Sequence, residues 1–287
     1  MIKTREQKFL VGFIVFLSVL CGFVWFSMPK ASSDVLSIYF LDVGQGDAIF
    51  IEAPNKKQLL IDGGRNSALV NELSKFMKFS DREIDVVLTT HPDSDHIGGL
   101  PEIFDRFEIG NFVDTGNKGD TNLYKELMDK AKKEDSSYFI AKRGLTIILD
   151  KKNGVYFQVL APDESFNFPD INDTSIVGRL VYGNRSFLLS GDASKAVENV
   201  LVYSDEDLLK SDILKAGHHG SKTASGLLFL EKVLPEVSII SASKNNSYGH
   251  PHDSVINNLK SINSAILETS KEGTIVFKTN GTDLWRE

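Results

Sequence analysis

Thr89-Thr90-His91-Pro92-Asp93-Ser94-Asp95-His96-Ile97-Gly98-Gly99 is the stretch on which the reading of this chain turns. It follows Ile84-Asp85-Val86-Val87-Leu88, a β-branched run that predicts a buried strand. His91, Asp93, Asp95 and His96 thus crowd two imidazoles and two carboxylates into six residues at a strand end. Left unpaired near a core, such groups are expensive to desolvate. A divalent cation among them removes that cost, and a set of imidazoles and carboxylates suits zinc, manganese or iron. The competing reading is a solvated turn that happens to be rich in Asp and His. The rest of the chain argues against it by supplying partners at matching places.

Those partners also fall at strand ends. Asp192 lies in Leu189-Ser190-Gly191-Asp192-Ala193, directly after an apolar run, and His218-His219-Gly220-Ser221 follows Ile213 to Ala216. His250-Pro251-His252 lies beyond Val237 to Ile240. All 6 histidines of the chain therefore sit in three strand-end loops, two of them shared with aspartates or their neighbours. A lone histidine is ordinarily a core or surface residue, but this distribution predicts a site assembled from separate loops. Asp42-Val43-Gly44-Gln45-Gly46-Asp47 and Asp62-Gly63-Gly64 are Gly-rich turns beside strands. The third glycine and the opening helix of a dinucleotide fingerprint are missing, so tight turning and close backbone approach are the roles expected of these glycines.

Around these motifs the chain alternates strands and helices. Strands are expected at 36–41, 48–53, 58–62, 84–88, 111–114, 146–149, 155–160, 175–182, 186–190, 213–216, 237–240, 265–269 and 273–278, with a hairpin across Gly183-Asn184. Helices are expected at 66–79, 100–107, 122–134, 195–202, 225–233 and 254–261. A loop occupies Ala161 to Asp173. Sheet-rich halves with helices outside predict one domain of two facing sheets clad by helices.

The 287-residue chain carries net charge −7, and its first thirty residues, with Lys3, Arg5, Lys8 and Lys30 against Glu6, contribute +3. The remainder is therefore at −10, which argues against a broad basic nucleic-acid face but not against a polyanion held at a metal centre. The single cysteine, Cys21, rules out a disulfide framework and a thiolate metal site. Phe9 to Ser27 is a 19-residue uncharged run. At about 1.5 Å per residue it matches a hydrocarbon core of roughly 30 Å. Basic residues before it place the N-terminus inside and the remainder outside the cell. A cleaved signal peptide has a shorter apolar core, about 7–15 residues. A lipoprotein anchor at Cys21 is disfavoured by Leu20 and the apolar residues that follow. The expected organisation is a tail, single-pass signal anchor and linker over 1–34, the linker being Pro29-Lys30-Ala31-Ser32-Ser33, then a hydrolase domain over 35–287.

Thr90-His91-Pro92-Asp93-Ser94-Asp95-His96-Ile97-Gly98-Gly99 resembles the His-x-[His/Asp]-x-Asp-His signature of the metallo-β-lactamase superfamily. Phe40 to Ala48, Leu60 to Gly64, Leu189 to Ala193 and Leu214 to Ser221 narrow the likeness to the metallo-β-lactamase domain of the ComEC family of DNA-uptake proteins. The similarity runs from about Val35 to Lys278 and implies a four-layer αββα sandwich with metals at one edge between the sheets. The channel helices and second extracellular part of that family have no counterpart here, so the resemblance implies the chemistry rather than transport.

Carried over by residue, the resemblance implies that His91 and Asp93 hold one metal, that Asp95 and His96 hold a second, and that Asp192 bridges them. One of His218 and His219 completes the second site, with His218 favoured for its place nearer the strand end. The usual third histidine of the first site is missing, and Asn172-Asp173-Thr174-Ser175 occupies that region. Asp93, in place of a more usual histidine, shifts the preference from pure zinc toward manganese or a mixed site. A hydroxide between two such cations is a nucleophile at neutral pH. Asp95 is expected to orient it, and His219, with His250 or His252, to donate a proton or hydrogen-bond the substrate. A plain structural role fits the His250 loop equally. Asp42, Asp47 and Asp62 are expected to orient ligands from behind or to shape the floor of the site, and Lys215, Ser221, Asn172 and Ser175 to border the substrate or stand behind the ligands. The function expected is a membrane-anchored extracellular phosphodiesterase or nuclease acting on DNA or a phosphate-linked wall polymer. The alternatives are a non-catalytic, metal-stabilised partner of a competence or cell-envelope system, and a lactam or ester hydrolase.

Overall fold

Residues 5–27, 34–134, 136–163 and 170–287 are described by the structure, a computed structural model. The linker at Pro29 to Ser33 and the middle of the loop between Ala161 and Asp173 lie outside them. The chain divides into two compact units, Met1–Ser33 and Asp34–Glu287. In the first, helix α1 (Arg5–Ser27) carries exposed apolar side chains such as Phe9, Ile14, Phe16 and Val19. The side chains described there end at Cys21, and among the described residues no helix is long and apolar enough to cross a membrane.

The second unit is layered because its strands are apolar on both faces, as sheets covered on both sides must be. In β1 (Leu36–Phe40), Leu36, Ile38 and Phe40 point one way and Tyr39 the other. The next strands are β2 (Ile49–Glu52), β3 (Gln58–Ile61), β4 (Glu83–Leu88), β5 (Glu108–Asp114) and β6 (Ser137–Ile140). Then come β7 (Thr146–Asp150), β8 (Val155–Ala161), β9 (Val177–Tyr182), β10 (Arg185–Leu189) and β11 (Ile213–Lys215). The last are β12 (Val237–Ile240), β13 (Ala265–Glu268), β14 (Ile275–Thr279) and β15 (Leu284–Arg286). They form one sheet of order β15-β14-β1-β2-β3-β4-β5-β6 and another of order β13-β12-β11-β10-β9-β8-β7. Phe40, Ile51, Leu88, Phe157, Leu180 and Phe187 fill the space between the sheets.

Helices α2 (Ala68–Leu73), α3 (Ser94–Ile97), α4 (Leu100–Arg106) and α5 (Asn122–Lys133) follow the first-sheet strands. Leu69, Leu73, Ile97, Ile103 and Leu127 cover that sheet's outer face, against Leu60 and Val87. Beyond the second sheet lie α6 (Lys195–Ser204), α7 (Glu206–Leu209), α8 (Leu227–Val233) and α9 (Asp253–Ser261), with a single turn, α10 (Thr269–Glu272), after β13. Val197, Leu201, Phe229, Leu230 and Leu259 pack there on Leu188, Leu214 and Ile240. The two-sheet α/β sandwich clad by helices is thus present.

Two local expectations are corrected. The helix expected over 66–79 stops at Leu73, because Lys75 and Phe76 donate to carbonyls three residues back and tighten the chain into a turn. That turn packs Phe76 against Tyr39, ring centroids 4.6 Å apart and planes tilted by 39°. The run Ser137-Tyr138-Phe139-Ile140, left out of the expected strands, pairs in parallel with β5 as an edge strand.

Candidate metal centre

Parallel pairing assembles the site. Strands β3, β4 and β5 run parallel, as do β10, β11, β12 and β13, so residues just beyond their C-terminal ends gather at one edge. Asp62 follows β3, His91 follows β4, Asp192 follows β10, His218 and His219 follow β11, and Ser241 follows β12. The β1–β2 loop joins them through Gly46. That residue has φ +113°, and a Cβ placed on it would lie 1.8 Å from the carbonyl oxygen of Asp95. Only a glycine lets this loop lie against the His91–His96 turn, where the Asp47 N–H donates to Asp95 O at 3.3 Å.

Four imidazoles are each held from behind. His96 Nδ1 donates to Asp62 Oδ2 (2.8 Å) and His219 Nδ1 to the Ser241 carbonyl (3.0 Å). Thr90 Oγ1 donates to Asp62 Oδ2 at 2.6 Å and is thereby left to accept from His91 Nδ1 at 3.1 Å. Thr223 Oγ1 donates to Ser221 Oγ at 2.9 Å and accepts from His218 Nδ1 at 3.2 Å. A proton on each Nδ1 leaves each Nε2 with a free lone pair. The Nε2 atoms of His91, His96 and His219 are buried and have no hydrogen-bond partner in the protein. Asp192 Oδ2 lies 3.3 Å from His96 Nε2, 3.3 Å from His219 Nε2 and 3.6 Å from His218 Nε2. Asp95 Oδ2 is 3.4 Å from His219 Nε2, and Asp93 Oδ2 is 3.7 Å from His91 Nε2. Convergent, buried, unpartnered nitrogens with carboxylates between them fit divalent cations, and apolar packing cannot explain them.

The charge balance agrees. Burial opposes ionisation of His96, yet the carboxylates of Asp192 and Asp62 outweigh it and hold the imidazole well above its ordinary pKa. Asp192 and Asp47 do the same to buried His219. Burial likewise works against the Asp192 carboxylate, but His219 and His96 hold it well below the usual range. The pocket therefore demands positive charge, and cation binding releases the protons that otherwise meet the demand.

Asp47, His96, Asp192 and His219 offer ligand atoms within 4.8 Å of one another. Asp47, however, stands behind the His219 ring, its Oδ1 3.3 Å from Nδ1, and its other oxygen contacts the Lys215 ammonium. It orients His219, while Asp95 faces Nε2.

The structure brings His91, Asp93, Asp95, His96, Asp192, His218 and His219 together, with Asp47 and Asp62 behind them. It separates the roles within the histidine pair: His219 meets both Asp95 and Asp192, whereas His218, favoured from sequence for that place, meets Asp192 alone of these two. Lys215, expected beside the substrate, is fully buried, paired with Asp47 and donating to Gly191 O at 3.3 Å. Asp42 accepts from the N–H of Gly44 and shapes its own turn. Ser175 Oγ accepts from the Asp192 N–H at 3.2 Å and so positions that carboxylate. Ser221 is buried against Thr223, and Asn172 opens a 3-10 turn with its Oδ1 buried and unpartnered.

The His250 ring lies 5.7 Å from that of His218 and 5.0 Å from that of His252. Burial, with the neighbouring His219 and His218, pushes its pKa down to about 4. His252 Nδ1 accepts from the Lys222 N–H, which ties it to the loop. Thr90, Thr223 and Ser241 escaped the sequence reading; a hydroxyl or carbonyl partner is visible only once the fold brings it behind a ring.

The chain belongs to the metallo-β-lactamase superfamily, whose pattern matches residues 41–244. Over 292 aligned residues it is 30% identical to ComE operon protein 3 of Bacillus subtilis (strain 168), covering 95% of this chain and 37% of that protein. It is 28% identical to Competence protein ComA of Neisseria gonorrhoeae, covering 90% of this chain and 34% of that protein. These relatives are ComEC-family competence proteins, and the chain spans about a third of their length. The metallo-β-lactamase fold protein YhfI of Bacillus subtilis superposes with a TM-score of 0.56 at 12% identity, covering 86% of this chain and 100% of that one, a likeness of fold alone.

Proposed function

We propose that the protein is a metal-dependent phosphodiesterase or nuclease, anchored in the membrane by the helix over 9–27 with its domain outside the cell. The observation that carries the hydrolase reading is the convergence of the unpartnered Nε2 atoms of His96 and His219 on Asp192, with His91, its Nε2 also unpartnered, beside His96 at a ring separation of 4.1 Å. His91, Asp93 and Asp192 would hold one divalent cation, and Asp95, His96, His219 and Asp192 the other, with manganese or zinc suited to the set. Bound there, the pair supplies activated water and stabilises charge on phosphoryl oxygens.

The chain's own residues do the positioning. Asp62 and Thr90 fix the rings of His96 and His91, and Lys215 with Asp47 fixes His219. Asp95, held ionised by the neighbouring His219 and His96 against the cost of burial, is ready to orient water. His250 is neutral at ordinary pH, so it serves the substrate as a hydrogen-bonding group rather than as a cation. DNA and a phosphate-linked wall polymer are the candidate substrates; the competence relatives favour DNA.

The test uses the full chain in detergent with manganese or zinc, offered bis(p-nitrophenyl) phosphate, DNA and a chromogenic lactam. Cleavage of the phosphodiesters that is lost in Asp192→Asn is expected. Opening of the lactam alone would overturn the reading, and metal binding without any cleavage would leave the non-catalytic partner role. Protease accessibility of the domain in intact cells tests the anchor and its orientation.

A further inference from the structure

The metallo-β-lactamase pattern asks for a third histidine in the half of the centre built on His91 and Asp93, and the 172–175 region offers none. His218-His219 is unusual in its backbone: both residues adopt left-handed conformations, φ 48° and ψ 50° at His218, φ 54° and ψ 24° at His219. Non-glycine residues resist this region, and two in succession persist only when the surroundings enforce them. The consequence is that the two rings splay, their planes 80° apart and centroids 6.0 Å apart. His219 turns inward, buried, to Asp95 and Asp192. His218 approaches Asp192 Oδ2 from another direction at 3.6 Å, with Thr223 fixing its Nδ1. Buried His91 Nε2 still lacks a partner, with Asp93 3.7 Å away.

We infer that the tandem pair serves both halves of the centre, His219 joining Asp95 and His96 while His218 stands in for the missing histidine beside His91 and Asp93. Asp192 is common to the two. This rests on the two-metal reading above, and it explains why the strained pair is two residues long.

The test is metal content and magnetic coupling, which do not depend on turnover. The full chain is loaded with manganese(II) alone, freed of excess by gel filtration, and measured by elemental analysis and electron paramagnetic resonance. Wild type is expected to hold two ions per chain with a spin-coupled signal. His218→Asn, chosen because Asn tolerates the left-handed backbone, is expected to hold one ion, with the uncoupled six-line signal. The lost ion should weaken by more than the 10–100-fold that removal of an outer partner causes. Thr223→Val, which leaves the ring in place, is expected to weaken the same ion by about 10–100-fold. Two coupled ions in His218→Asn with unchanged affinity would overturn the inference and leave the two-metal reading standing. One ion or none in wild type would overturn both.

Discussion

Lys215 is the most consequential residue that does not face the site's open space. Its ammonium is fully buried and touches Asp47, itself 2% exposed, whose other oxygen faces His219. The ammonium, acting against the cost of burial, is the chief influence holding the Asp47 carboxylate below its usual range. Lys215→Met removes the charge at nearly constant volume and leaves Asp47 with the His219 ring, 3.3 Å from its Oδ1, as its nearest remaining counter-charge. Breaking a buried pair in this way costs about 3–5 kcal/mol. For a domain of this size each kcal/mol is worth about 2–4 °C, so melting should fall on the order of 10 °C.

Replacing both partners, in Lys215→Met with Asp47→Leu, removes the Asp47 carboxylate too. Of the ammonium's two carboxylate neighbours only Asp192, 3.9 Å from it and also faced by His96 and His219, remains, so the double variant should recover much of that loss. It should not recover metal affinity, because His219 has lost a partner behind its ring. The assay is thermal and urea unfolding of the full chain with a chelator present, so that bound cation does not mask the effect. The reasoning is refuted if Lys215→Met melts within about 1 °C of wild type, or if the double variant is no more stable than the single one.

Buried Glu198 accepts from the N–H groups of Ser225 and Gly226, and burial pushes its pKa up from 4.5 to about 7. The folded state therefore binds its proton more tightly than the unfolded one, and stability from this group is lost as pH rises from about 4.5 through about 7. The full loss is about 3 kcal/mol; the stability difference between Glu198→Gln and wild type should widen in the variant's favour across that window, and a constant difference would refute it. Asp62→Ala strips the partner from His96 Nδ1, Thr90 N and Thr90 Oγ1, so affinity for manganese, measured by chelator competition, should fall about 10–100-fold. Gly46→Ala should lower metal content and stability together, because its Cβ collides with the Asp95 backbone. Gly44→Ala, at φ +79° with open space around it, should cost only about 1–2 kcal/mol in denaturant titrations.

The site was legible where chemistry and strand ends coincide in the chain. The run from His91 to His96, Asp192 and the His218-His219 pair carry groups too polar for a strand edge unless something cationic joins them. Strands were legible because both faces are buried, which writes continuous apolar runs such as Ala48-Ile49-Phe50-Ile51. What stayed hidden depends on contacts between distant residues. No spacing rule reveals that Lys215 points inward to Asp47, 168 residues earlier in the chain. Which histidine of the pair turns inward is set by two left-handed residues, a backbone choice that sequence pattern does not encode. The early end of α2 follows from packing of Phe76 on Tyr39, again a tertiary effect.

The most direct test of the metal centre is anomalous diffraction from crystals of the protein loaded with manganese or zinc. Two peaks about 3.5–4 Å apart, one beside His91 and Asp93, the other beside Asp95, His96 and His219, with Asp192 touching both, are the expected result. A lone peak out of reach of Asp192, or no peak among these residues, would contradict it.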